Sequence, residues 1–270
     1  MKRINGVYLA CTMMNWLWFS VGGCSGDQFE FPLFHETGSF TAPQAHQAAA
    51  ADRRFVYAIT NKVVAKYSRK TREQLAVSVG DAHHLNSGYI HRGSLLCAHS
   101  NYPQIPEQSQ IKVLDPKSMQ LTTFHDFGDY GGSLTWVVRV GNSWLCNFAK
   151  YDKNNGDTFL AEFDRNWTET RRWTYPQEMI AQLGKYSLSG GLFHQQRLLV
   201  TGHDAQEIYY LSIPQTGTVL KYVGKTPVPF TGQGFAVDPL GGLVGISRAE
   251  HRVIFLNEVI CCHLDLKRRR

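Results

Sequence analysis

The apolar and polar positions of this chain fall into five imperfect copies of one layout: a polar lead-in, a tight turn, an apolar run and a polar exit. Residues 83–103 show it most clearly, with His83 and His84 first, a turn at Arg92-Gly93, the run Leu95-Leu96-Cys97-Ala98, and then His99. The apolar runs are anchored at Phe55, Leu95, Trp144, Leu198 and Leu243, spaced by 40, 49, 54 and 45 residues. Before each anchor lies a short extended segment (48–53, 87–93, 136–142, 190–196, 235–241). After it comes a run rich in β-branched and aromatic residues (63–67, 111–114, 159–163, 208–211, 253–256), and in the first four copies a weaker fourth strand follows. Three or four strands repeating about every 47 residues is the period of a propeller blade. The pattern predicts an all-β fold, a five-bladed β-propeller.

A ring of blades must close. The fifth copy has no evident fourth strand, so the pattern predicts that residues 29–35 supply it from the N-terminal side and remove the open sheet edges. The one helical signal is at 176–184, with Pro176 at its start and Gly184 at its end.

Composition supports a folded chain: 43% hydrophobic against 19% charged residues in 270 is enough to bury a core. The net charge of +6 matches Lys2, Arg3 and Lys267-Arg268-Arg269-Arg270, so the body is balanced and lacks the footprint of a nucleic-acid binder. Lys2-Arg3, the mostly apolar stretch 7–21 and Gly22-Gly23-Cys24 follow the order of an export signal. Val21-Gly22-Gly23-Cys24 resembles a bacterial lipobox, whose cysteine is lipidated. The expected organisation is a signal peptide over 1–24, carrying a candidate lipoprotein signal, one β-propeller domain over 27–260, and a basic tail over 261–270. The expected location is exported, periplasmic or cell-surface, touching the membrane only through a lipid on Cys24. Of the other cysteines, Cys97 and Cys146 hold equivalent apolar strand positions, Cys11 lies in the signal, and Cys261-Cys262 has no metal or redox spacing.

The candidate chemistry comes from aligning the copies. Nine residues before the first four anchors, and ten before the fifth, stand His46, Asn86, Thr135, Ser189 and Gln233. Two residues earlier stand Gln44, His84, Ser133, Ser187 and Thr231, with Ala45, Leu85, Leu134, Leu188 and Gly232 between. Alternation at period two turns the polar set to one side. In a propeller this gives two polar rings at one mouth of the central channel, which either hold a ligand or bond one another and water. The exits of the second strands belong to the same face and add His99, Tyr151, Asp152, His203, Asp204 and Arg248. Imidazole can act as base, acid or ligand, carboxylate can orient it, and guanidinium holds anions. The candidate catalytic residues are therefore His84, His99, His203 and Asp204. The candidate substrate-binding residues are His46, Asn86, Thr135, Tyr151, Asp152, Ser189, Gln233 and Arg248. A divalent metal on the four histidines and Asp204 is a cofactor this set allows, although the blade-to-blade spacing matches no metal motif. No Gly-x-Ser-x-Gly elbow is present; Ser187-Leu188-Ser189-Gly190-Gly191 reads as the start of a strand.

With Gly132-Ser133-Leu134-Thr135-Trp136, Tyr186-Ser187-Leu188-Ser189-Gly190-Gly191, Thr201-Gly202-His203-Asp204 and Gly232-Gln233-Gly234, the chain resembles a family of exported bacterial β-propeller proteins, some loosely labelled cycloisomerases. The resemblance spans about 44–259 and implies the propeller fold and a site at His203-Asp204. More distantly the layout is similar to lactonase-type and glutaminyl-cyclase-type propellers, which use the channel mouth for a metal and small polar substrates. Asn86 matches a lactonase ligand, but Ser, Thr, Gln and His replace the acidic ring, which departs from calcium chemistry.

Two functions remain open on the sequence. One is an isomerase, cyclase or lactone hydrolase acting on a small polar or anionic metabolite; the other is a non-catalytic propeller that binds a ligand or protein. The export reading has its own test. Mass spectrometry of the mature protein should find a diacylglyceryl group on Cys24, and a free amine at any other residue rejects the lipid anchor.

Overall fold

The structure, a computed structural model, describes residues 31–259. The export segment with Cys24, the Cys261-Cys262 pair and the basic tail lie outside the described residues. Five four-stranded antiparallel sheets form the five blades of a β-propeller. Strand β1 (Leu33–Thr41) comes first and is the outer strand of the last blade. Blade 1 runs outward through β2 (Ala48–Ala51), β3 (Phe55–Ile59), β4 (Val64–Ser68) and β5 (Gln74–Val77). Blade 2 has β6 (His84–His91), β7 (Ser94–Ser100), β8 (Ser109–Leu114) and β9 (Leu121–Gly128). Blade 3 has β10 (Ser133–Val140), β11 (Ser143–Ala149), β12 (Phe159–Phe163) and β13 (Glu169–Thr174). Blade 4 has β14 (Gly190–His194), β15 (Arg197–Thr201), β16 (Glu207–Ser212) and β17 (Lys221–Pro227). Blade 5 has β18 (Ala236–Val237), β19 (Leu243–Ser247) and β20 (Arg252–Val259), with β1 outside β20.

Closure by an N-terminal strand is as expected, but the strand lies further along the chain than 29–35. β1 pairs with β20 from Leu33 opposite Val259 to Thr41 opposite Arg252, with a register shift between Glu36 and Gly38. The residues just before it do another job. Phe31 packs tilted against Tyr210 with ring centres 5.3 Å apart, and the Thr226 hydroxyl donates to the Pro32 carbonyl, tying the closing strand to blade 4. The seam with blade 1 is held by the Arg69–Asp238 ion pair at 2.7 Å and by Arg72 lying over Phe40 and Phe255.

The helical signal at 176–184 gives only α1 (Gln177–Ile180), which buries Met179 and Ile180 and then breaks into turns. A 3-10 turn at Asp152–Asp157, absent from the sequence reading, caps the exit of β11.

Small residues set the geometry at the axis. All four alanines of β2 are buried, and β14 opens on Gly190-Gly191. Gly234, leading into β18, reaches across to Ser87 of blade 2, which is not its neighbour in the ring. A Cβ on Gly234 would lie 2.6 Å from Ala48 Cβ and 2.9 Å from Ser87 Cα. β14 likewise touches β6 across the axis. Backbone therefore plugs the channel at mid-height.

A belt of hydrogen bonds around this plug links each blade to the next. Leu85 N donates to Asn61 O at 2.7 Å. Asn86 Nδ2 donates to Leu134 O at 3.0 Å and Thr135 Oγ1 to Leu188 O at 2.7 Å. Thr201 Oγ1 donates to Gln233 O at 2.8 Å, and Gly234 N to Gln47 O at 2.9 Å, which completes the ring. The bulges between Leu85 and Gly88 and between Leu134 and Trp136 re-aim Asn86 and Thr135 for this purpose.

Overpacking the plug tests the arrangement. Gly234→Ala should lose about 1–3 kcal/mol of stability, the usual cost of an inserted methyl in a tight core. Gly156→Ala, whose Cβ would meet only the Gln177 side chain at 3.5 Å, should stay close to wild type in the same urea titrations.

Candidate functional site

Above the plug, on the face where the first strands begin and the second strands end, four side chains from four blades converge. They are His46, His84, His203 and Arg248. Arg248 is central: Nη1 donates to His203 Nε2 at 3.0 Å, and Nη2 to His46 Nε2 at 3.5 Å, the outer limit of a hydrogen bond. Its loop is fixed by Arg248 N donating to Thr231 Oγ1, and the His203 backbone by Gln233 Nε2 donating to its carbonyl at 2.7 Å.

These contacts decide the tautomer of His203. Guanidinium has no acceptor, so Nε2 must offer a lone pair and the ring proton sits on Nδ1. Nδ1 then donates to Asp204 Oδ1 at 2.7 Å. The ring also stacks on Tyr186, with centres 3.9 Å apart and planes 12° apart. His203 is thus a neutral imidazole fixed on both edges and one face, beside a solvent-exposed carboxylate.

Charge follows the same logic. Burial, then the Arg248 cation and the neighbouring His251 and His203, hold His46 below its ordinary value. His84 is also lowered by burial first and Arg248 next, against an opposing Asn86 hydrogen bond. For His203, burial outweighs the Asp204 contact, which pulls upward. At neutral pH the mouth holds one guanidinium beside the uncharged imidazoles of His46, His84 and His203, with the Asp204 carboxylate on the far edge of His203.

The other predicted residues divide into groups. Asn86, Thr135 and Gln233 belong to the blade-to-blade belt, and Asn147 Nδ2 also donates to Thr135 Oγ1 at 2.8 Å. Ser189 starts the blade 4 lead-in, half-buried, its amide bonded to Thr201 O. Tyr151 lies off the axis, tilted against Tyr102 with ring centres 4.7 Å apart, and Tyr102 meets His84 edge-on at 5.4 Å. This aromatic row leads from the mouth to a side cleft of about 500 Å³ that holds the Lys150–Glu107 ion pair. Asp152 is exposed at the start of the 3-10 turn, with φ of 54° and its amide on Lys185 O. Tyr186 and Tyr102 carry rim contacts that the sequence reading did not assign; the first sits inside a quoted motif and the second just before Pro103.

His99 stands apart from the mouth. Its ring is buried on the flank of blade 2, where Nε2 accepts from His83 N at 3.0 Å and Nδ1 has no partner among the described residues. Burial drives its pKa down to about 3, with the Lys112 cation adding to the effect.

The metal arrangement does not fit these side chains. Among the described residues no three His, Cys, Asp or Glu side chains gather into a metal-binding group. Arg248 donates to the two imidazole nitrogens that would serve as ligands, so a cation already holds their lone pairs.

No protein-family model and no curated protein matches the chain. Solved structures do. Glutaminyl cyclase from Myxococcus xanthus aligns at a TM-score of 0.57 and 11% identity, covering 84% of this chain and 98% of that one. The Cps50 (Swd1) β-propeller domain of Myceliophteria thermophila aligns at 0.48 and 11%, covering 83% and 99%. The likeness is one of fold. The chain is a β-propeller with a glutaminyl cyclase among its distant structural neighbours.

The lowered histidines make a pH prediction. The unfolded chain takes up protons near pH 6.5, before the folded one does, so stability is full above that value and is lost as pH falls below it. The urea midpoint should drop from pH 7 to 4.5, and His99→Gln, which keeps an acceptor for His83 N, should flatten that drop. An unchanged slope would take His99 out of the effect.

Proposed function

We propose that the channel mouth binds a small anionic metabolite, with Arg248 as its anchor, the neutral imidazoles of His46 and His84 as hydrogen-bonding partners, and His203 holding Arg248 in place. The observation that carries this reading is the Arg248 guanidinium held in place by two imidazole lone pairs and, among the described residues, paired with no carboxylate. A cation so fixed loses little freedom on meeting an anion, and a planar guanidinium suits carboxylate or phosphate oxygens. Tyr186 and Tyr102 supply flat apolar walls beside it.

A second reading, an isomerase, cyclase or lactone hydrolase, is supported by Asp204 on the Nδ1 side of His203. That contact orients an imidazole whose Nε2 becomes a base once a bound anion draws Arg248 away. The export signal supports placing the protein in an exported, periplasmic or cell-surface setting, with Cys24 as the lipidation site.

The test is a metabolite screen by thermal shift, followed by titration of each hit. Arg248→Met should weaken binding by on the order of 10²-fold, as expected for deleting one side of a desolvated charge pair. Binding should also tighten from pH 7.5 to 5.5, because an anion raises the proton affinity of the adjacent histidines. His203→Ala separates the readings: loss of turnover with binding retained supports catalysis. An anionic hit that binds Arg248→Met as tightly as wild type rejects the anchor.

A further inference from the structure

We propose that the opposite end of the channel is a second, separate binding site, for a small amphiphilic carboxylate with an apolar body. Below the plug the inner strands leave a cavity of about 380 Å³ to which all five blades contribute. Its walls are apolar: Tyr89, Ile90, Val138, Leu192, Phe193 and Val237. That volume and that lining match a small-molecule site, in which apolar walls supply affinity and a few polar groups fix orientation.

The polar groups here are cationic. Arg53 and Arg139 line the cavity where the turns between first and second strands surround it. Arg139 is steadied by its Nε donating to Gly141 O at 3.1 Å and by lying 4.9 Å over the Trp144 ring. Of the carboxylates at this end, Asp238 is neutralised by an arginine, whereas Asp52, which also lines the cavity, is held by neutral donors. Asp52 accepts from the Arg54 and Phe55 amides and from the Tyr57 hydroxyl, and Asp238 pairs with Arg69 through both oxygens. An apolar cup lined by two arginines against the single Asp52 carboxylate keeps one net positive charge, which selects a ligand with one anionic head. The Gly234–Ser87 contact separates this cup from the His46–Arg248 mouth, so the two sites load independently.

Octanoate is the probe, titrated calorimetrically into the full-length protein, with octanamide as its uncharged counterpart. Octanoate should bind at one site, and octanamide about tenfold more weakly, the equivalent of one charge-assisted contact. Val237→Trp, which fills the cup from its exposed edge, should weaken octanoate at least about tenfold; Arg53→Gln with Arg139→Gln should remove the preference over octanamide. Arg248→Met should leave octanoate binding unchanged, which distinguishes failure of this site from failure of the one at the other mouth. In wild type, octanoate should shift the amide resonances of residues 88–90, 191–193 and 235–237. The proposal is overturned by no binding at millimolar octanoate, by equal affinity for octanamide, by an unaffected Val237→Trp, or by amide shifts confined to the His46–His203 rim.

Discussion

Five wedge-shaped sheets can form a ring only if their inner strands approach one another closely, and here that approach becomes contact. At the level of Gly234, Ser87 and Ala48 there is no room for an added Cβ. Everything else at the axis follows from this. Backbone groups brought so near, in a place with little water, must find partners, and the belt running through Asn61, Asn86, Thr135, Thr201 and Gln47 provides them. Each such bond contributes on the order of 1 kcal/mol, but leaving one of its buried partners unpaired costs more. The polar ring is first of all a joint between blades.

That joint is also a foundation for the mouth above it. Gln233, a belt residue on its main chain, uses its side-chain amide to hold the His203 carbonyl. Thr231, two residues before it, holds the Arg248 amide. The side chains that face solvent are thus positioned by those that do not. Arg248 and its imidazoles are arranged before any ligand arrives, which is the condition for an anion to be gripped without reordering the rim.

The blade period was legible because burial leaves a direct trace. Phe55, Leu95, Trp144, Leu198 and Leu243 recur since every blade must bury the same second strand, and closure from the N-terminal side followed from counting strands. The start of β1 was misplaced because Phe31 is as apolar as a strand residue, and only packing against Tyr210 shows that it belongs to the neighbouring blade. At the site, alignment found the right columns but could not divide them. Asn86 and Thr135 look like ligand contacts until the bulges that turn them toward Leu134 and Leu188 are seen. His99 and His203 both end a second strand, yet one is sealed on a blade flank and the other stacks on Tyr186. Periodicity gives the column; side-chain direction at an irregular strand end does not follow from it.

The closing strand has a temporal consequence. Glu36 of β1 and Arg252 of β20 are ion-paired although 216 positions separate them along the chain. Blades 1 to 4 are each built from continuous sequence and can pair their strands locally, whereas the fifth waits for both ends. Until the last strand exists, the first has no neighbour on its pairing side, and its unpaired groups are open to another chain. Such long-range pairing folds late and slowly. The ring therefore cannot close before β1 and β20 have met, and until they do the blades form an open arc.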